Sequence, residues 1–70
     1  MTLKNFDREV QVAIRDELMR FVGRPCTSFT RIKMTEAVNI ILDFYDLPWY
    51  AEVSLNGRKL DIEFYRKDLP

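Results

Sequence analysis

The sequence predicts an α+β fold, with two helices followed by an antiparallel β-hairpin (α-α-β-β) in a single small domain over 1–70. Three observations predict it. Apolar residues recur at gaps of three and four from Phe6 to Val22 and again from Met34 to Tyr45, the spacing of one helical face. Two strings that alternate apolar and polar residues flank Asn56-Gly57, the strongest short hairpin signal. Gly23-Arg24-Pro25 and Asp46-Leu47-Pro48 fall between these segments, where chain breakers belong.

The first helix is expected over about 5–22. Its stripe is Phe6, Val10, Ala13, Ile14, Leu18, Phe21 and Val22, and Gly23 supplies a left-handed terminus that Pro25 prevents from extending. The segment from Cys26 to Lys33 is rich in Thr and β-branched residues, so it reads either as a short third strand or as a helical turn leading onward. Thr35 is the expected N-cap of the second helix, with Glu36 beside the positive end of its dipole. Met34, Ala37, Val38, Ile41, Phe44 and Tyr45 form its stripe, and Ile40 and Leu42 widen that stripe to about 200° of the wheel. Leu47 ends it, because Pro48 pushes the preceding residue out of helical space.

With Asn56 and Gly57 as the two central turn residues, the expected register pairs Leu55 with Arg58, Val53 with Leu60, Ala51 with Ile62 and Trp49 with Phe64. That side of the ribbon is apolar. The other side pairs Ser54 with Lys59, Glu52 with Asp61 and Tyr50 with Glu63, with Tyr65 diagonal to Tyr50. An isolated hairpin is marginal in water, so the apolar side needs the helices as its cover. The expected core is Phe6, Val10, Ile14, Leu18, Phe21, Val38, Ile41, Phe44, Trp49, Val53, Leu60, Ile62 and Phe64.

The composition narrows the function classes. The chain has 70 residues, 47% of them hydrophobic, which supports one modest core and excludes the disordered class. Eleven basic residues balance eleven acidic ones, so no whole-chain basic footprint for nucleic acid exists. The balance is uneven: residues 1–35 carry seven Lys or Arg against four acids, and residues 36–70 carry four against seven. Cys26 is the only cysteine, no run is apolar enough to span a bilayer, and no signal peptide is legible. A reducing, cytoplasmic setting without membrane attachment is the expectation.

Catalytic chemistry is sparse. With no histidine, imidazole dyads and triads are out of reach, and one cysteine cannot make a zinc site. The two glycines, Gly23 and Gly57, form no phosphate-binding loop. No enzyme activity, cofactor or metal is expected. Cys26 beside Arg24, and Glu17 inside the first apolar stripe, are the residues that could contribute to a shared catalytic site. Their simpler readings are an inert thiol and a carboxylate paired with Arg20.

Two groups are better candidates for binding. Glu36, Asn39, Asp43 and Asp46, spaced by three, four and three, form a polar and mainly acidic ridge on the second helix. It reads as a solvated face or as a docking edge for a basic partner. Tyr50 and Tyr65 lie on the outer side of the ribbon beside Glu52 and Glu63, an aromatic pair of the type found at interface hot spots. The expected function is a non-catalytic protein-binding module (an inhibitor, adaptor or assembly subunit) acting by occupying a surface of a larger protein. Self-association belongs to the same class, since the ribbon edge and the wide stripe of the second helix both invite it.

The alternative is nucleic-acid binding. In element order alone, helices followed by a two-stranded wing resemble the winged-helix arrangement, with Asn56-Gly57-Arg58-Lys59 at the wing tip. That resemblance implies Arg31, Lys33, Arg58 and Lys59 as the contacts, and requires Ser28–Lys33 as a separate short helix ahead of a recognition helix. The acidic ridge on that helix is the wrong chemistry for a major groove.

Overall fold

The computed structural model describes residues 2–68; residues 1, 69 and 70 of the expected domain lie outside them. After a 3₁₀ turn at Leu3–Asn5, the chain forms α1 (Arg8–Met19), α2 (Ser28–Phe44), β1 (Trp49–Asn56) and β2 (Lys59–Arg66). The α-α-β-β order is the expected one. The helices form one layer and the hairpin the other, within a body 30 × 28 × 18 Å across.

Helix α1 is shorter than 5–22 at both ends. Phe6 and Asp7 are extended, with ψ of 159° and 152°. That bend drives the Phe6 ring inward, edge-on to Phe64 at 5.0 Å and to Trp49 at 6.3 Å. Gln11 secures it by donating from Nε2 to the Phe6 carbonyl at 2.7 Å. At the other end, residues 20–22 donate to carbonyls three positions back, tightening the last turn before Gly23 at φ +84°.

The segment 26–33 is not a strand. Thr27, rather than Thr35, caps α2: its hydroxyl accepts from the Thr30 N–H at 3.3 Å, and Ser28–Lys33 forms the first turns of one continuous helix. Thr35 is interior, where its hydroxyl donates to the Arg31 carbonyl one turn back at 2.8 Å. The other end of α2 is a Schellman motif. Leu47 N–H reaches the Leu42 carbonyl and Asp46 N–H the Asp43 carbonyl, both at 3.0 Å, with Asp46 left-handed at φ 54°. Leu47 then packs on the core.

The hairpin keeps the expected faces but pairs two residues further along. Asn56 faces Lys59, Leu55 Leu60, Val53 Ile62, Ala51 Phe64 and Trp49 Arg66. The turn residues are therefore Gly57 and Arg58. Only Gly57 takes positive φ, +63°, which is the type II′ pattern with Gly first; the expected type I′ turn would have required positive φ at Asn56 as well. A shift of two preserves which side each residue faces, so the apolar side still lies on the helices.

The buried core is Phe6, Val10, Ile14, Val38, Leu42, Ala51, Val53 and Phe64, with Leu18, Ile41, Tyr45, Trp49 and Ile62 partly buried. Three expected members fall away. Phe21 and Leu60 are only half-buried and lie outside the cluster, and Phe44 points to solvent. The hairpin and α1 occupy adjoining sides of α2, and among the described residues no third element covers its remaining side.

Candidate functional site

The helical ridge is mostly committed within the molecule. Asn39 is half-buried and turned toward β1, where its Oδ1 accepts from the Ala51 N–H at 2.6 Å and its Nδ2 donates to the Ala51 carbonyl at 3.0 Å. Both backbone groups of Ala51 thus point away from β2, and one amide covers the β1 edge as a neighbouring strand would. Glu36 lies 3.8 Å from Lys33, and Asp43 pairs with Lys67 beyond β2. Asp46 occupies the turn that ends α2. The four ridge residues are brought together by the helix, but only Glu36, Asp43 and Asp46 face solvent.

The tyrosines are the better-formed surface. Tyr50 stands directly opposite Tyr65, not diagonal to it, and their rings stack at 5.5 Å with 28° between planes. They lie on the outer side of the ribbon, where no other described element covers them; Tyr65 is 39% exposed. Glu52 faces Glu63 in the next pair and Asp61 follows Glu63 two residues earlier on the same side. Two acids directly opposite one another repel. The Tyr65 hydroxyl donates to Glu63, and that bond, more than desolvation or the nearby charge, holds the phenol above its usual pKa of 10.0. Asp61 accepts from Asn56 Nδ2 at 2.8 Å, whereas Glu52 has no hydrogen-bond or ion-pair partner among the described residues.

The four cations of the nucleic-acid alternative do not share one surface. Positions 31 and 33 stand about 160° apart around a helix. Arg31 turns to β1, 3.5 Å from the Val53 carbonyl, while Lys33 lies over the Phe29 ring on the far side. Arg58 and Lys59 are at the hairpin tip, Lys59 3.9 Å from Asp61. Ser28–Lys33 belongs to α2, so no separate middle helix precedes a recognition helix.

Glu17 meets Arg20 at 3.2 Å, the simpler of its two readings, and Cys26 is exposed. Among the described residues no cluster of three metal-ligating side chains occurs, and no helix is long and apolar enough to cross a membrane.

The wide stripe of the second helix leaves an apolar surface on the outer side of α2, to which Phe44, expected in the core, belongs. Phe29, Ile32, Ile40 and Phe44 are 66%, 46%, 68% and 80% exposed. Beside it, a groove of about 300 Å³ opens between the end of α1 and the start of α2, lined by Phe21, Phe29, Thr30, Arg20, Arg24 and Lys33 among others. The signal was present: a stripe of about 200° on a helix with only two partners leaves part of itself bare. No protein-family model, curated protein or solved structure matches the chain.

Proposed function

We propose that the chain is a non-catalytic protein-binding module that occupies a basic surface of a larger protein through the outer face of its hairpin. The observation that supports this reading is the stacked Tyr50–Tyr65 pair on an uncovered sheet face, rimmed by Glu52, Asp61 and Glu63. A tyrosine pair offers large, rigid contact area at low entropic cost. Glu52 opposes Glu63 with no partner of its own among the described residues, a repulsion that a partner's Lys or Arg side chain would remove, and the same cation can lie over a tyrosine ring. The helical ridge is the weaker docking edge, because Asn39 and Asp43 already serve contacts within the fold.

The test is comparative affinity capture from the native host's lysate, with the bound proteins identified by mass spectrometry. Tyr65→Ala and Glu63→Lys should each keep the native circular dichroism and lose a protein that the unaltered chain retains. Asp43→Lys should retain it. Undiminished capture by both hairpin variants would refute the reading.

A further inference from the structure

The outer side of α2 is an apolar face with a charge gradient along it. Phe29, Lys33, Glu36 and Ile40 share a sector of about 60° at 100° per residue, with Phe44 just beyond. Lys33, Arg20 and Arg24 around the groove outnumber Glu17, which pairs with Arg20, so the end near Phe29 is basic on balance. Asp43 and Asp46 flank Phe44 and, with Asp43 shared with Lys67, leave that end mildly acidic. Any partner of one sign, including an anionic membrane, would be repelled at one end.

We propose that this face binds a second copy of the chain, with the two α2 helices antiparallel about a two-fold axis. Antiparallel packing sets Phe29 of each copy near Phe44 of the other. Phe44, the most exposed large apolar residue of the described chain, then enters the groove between α1 and α2 of the second copy. There its ring meets Phe21 and Phe29, and Asp43 and Asp46 meet the cations at the groove's rim. Setting position 29 against position 44 puts the two-fold axis between 36 and 37, so Glu36 of each copy approaches its counterpart with its own Lys33 as counter-ion. The helix dipoles are also opposed.

Helix α2 is long enough to carry such a contact. Helix α2 has 17 residues, about 25 Å, and so runs nearly the length of the molecule. A stable interface at the small end of the normal range takes about 600 Å² from each copy, roughly one-ninth of a surface of 5183 Å². The arrangement is isologous: both grooves and both Phe44 rings are used, so this contact closes on itself and does not propagate a chain of copies.

Sedimentation velocity across concentration tests the proposal. The unaltered chain should pass from 8.4 kDa to twice that mass as concentration rises. Phe44→Asp and Ile40→Asp, both on exposed sites, should remain monomeric with unchanged circular dichroism. Lys33→Glu and Asp43→Lys should each raise the dissociation constant about tenfold, since two symmetric ion pairs are lost, and together they should restore it. A chain that stays at 8.4 kDa throughout overturns the proposal, as does a dimer unaffected by Phe44→Asp. Loss of the dimer on Tyr65→Ala places the second copy on the hairpin and overturns it equally. An unchanged dimer in Tyr65→Ala supports it and leaves the hairpin's role with other partners to its own test.

Discussion

An amide side chain carries a donor and an acceptor, so Asn39 can satisfy the N–H and the carbonyl of one strand residue at once, as it does at Ala51. No other side chain joins the two layers by a pair of such bonds among the described residues. Asn39→Ala leaves both Ala51 groups without a protein partner at a half-covered edge and should cost about 1–3 kcal/mol. Thermal unfolding should show a midpoint lower by about 5 °C or more. Asn39→Asp keeps the acceptor for the Ala51 N–H but sets a carboxylate against the Ala51 carbonyl. Its loss should shrink as acid protonates it, a rescue that Asn39→Ala cannot show. The tyrosine face has its own pH signature. Glu63 raises the Tyr65 pKa in the folded chain above its unfolded value near 10.0. The contribution to stability is therefore whole below pH 10 and is lost as pH climbs through the folded pKa. Tyr45 is also held up, by burial and by Glu9, so spectrophotometric titration should find two phenols ionising late, and Glu63→Gln should bring only one of them back toward 10.0.

The helix ends show how much of each element the sequence discloses. Asp46 takes a left-handed conformation that costs a non-glycine residue about 1 kcal/mol, and its backbone bonds close the Schellman motif without help from its side chain. Asp46→Gly should accordingly stabilise the chain, by up to about 1 kcal/mol, read as a higher urea midpoint at constant slope. A fall in that midpoint would mean that the Asp46 carboxylate contributes more than its backbone strain removes. The break at Leu47-Pro48 was legible because proline acts on its neighbour through sterics alone. The start of α2 was not: Thr27 and Thr35 are equally good caps in isolation, and in the fold Thr27 is the one whose hydroxyl accepts from the helix, at Thr30, which is itself buried. In the hairpin, alternation disclosed the two faces, since period two survives a shift of two. The register itself turned on which residues accept positive φ, and Gly57 alone suffices. Asn39 read as part of a ridge because its partner is a backbone edge twelve positions away, which no periodicity records; an uncharged amide bordering the buried arc of α2 was the trace it left.

At the scale of the whole molecule, a 70-residue chain divides its apolar residues between a small core and a bare helical side. Stability for this length is about 3–10 kcal/mol, so each core residue matters in proportion. The spacing of Phe44 continues the stripe and so points it to that core, but three elements cannot wrap a helix on every side, and Phe44 falls where cover runs out. Ile14, by contrast, is 0% exposed, enclosed between α1, α2 and the ribbon with Val38 and Leu42. Ile14→Ala should cost about 2–5 kcal/mol through lost burial and the cavity left behind, enough to remove a large share of the total. Phe44→Ala deletes a larger side chain yet removes little buried area, and should change unfolding by under about 0.5 kcal/mol when measured at concentrations where the chain is monomeric. Urea unfolding of both variants at several concentrations separates the two roles. Ile14→Ala should be destabilised by the same amount at every concentration. Phe44→Ala should match the unaltered chain when dilute and fall behind it only where the second copy binds, since association stabilises the folded state by mass action. A concentration-independent loss for Phe44→Ala comparable to that of Ile14→Ala would return Phe44 to the core.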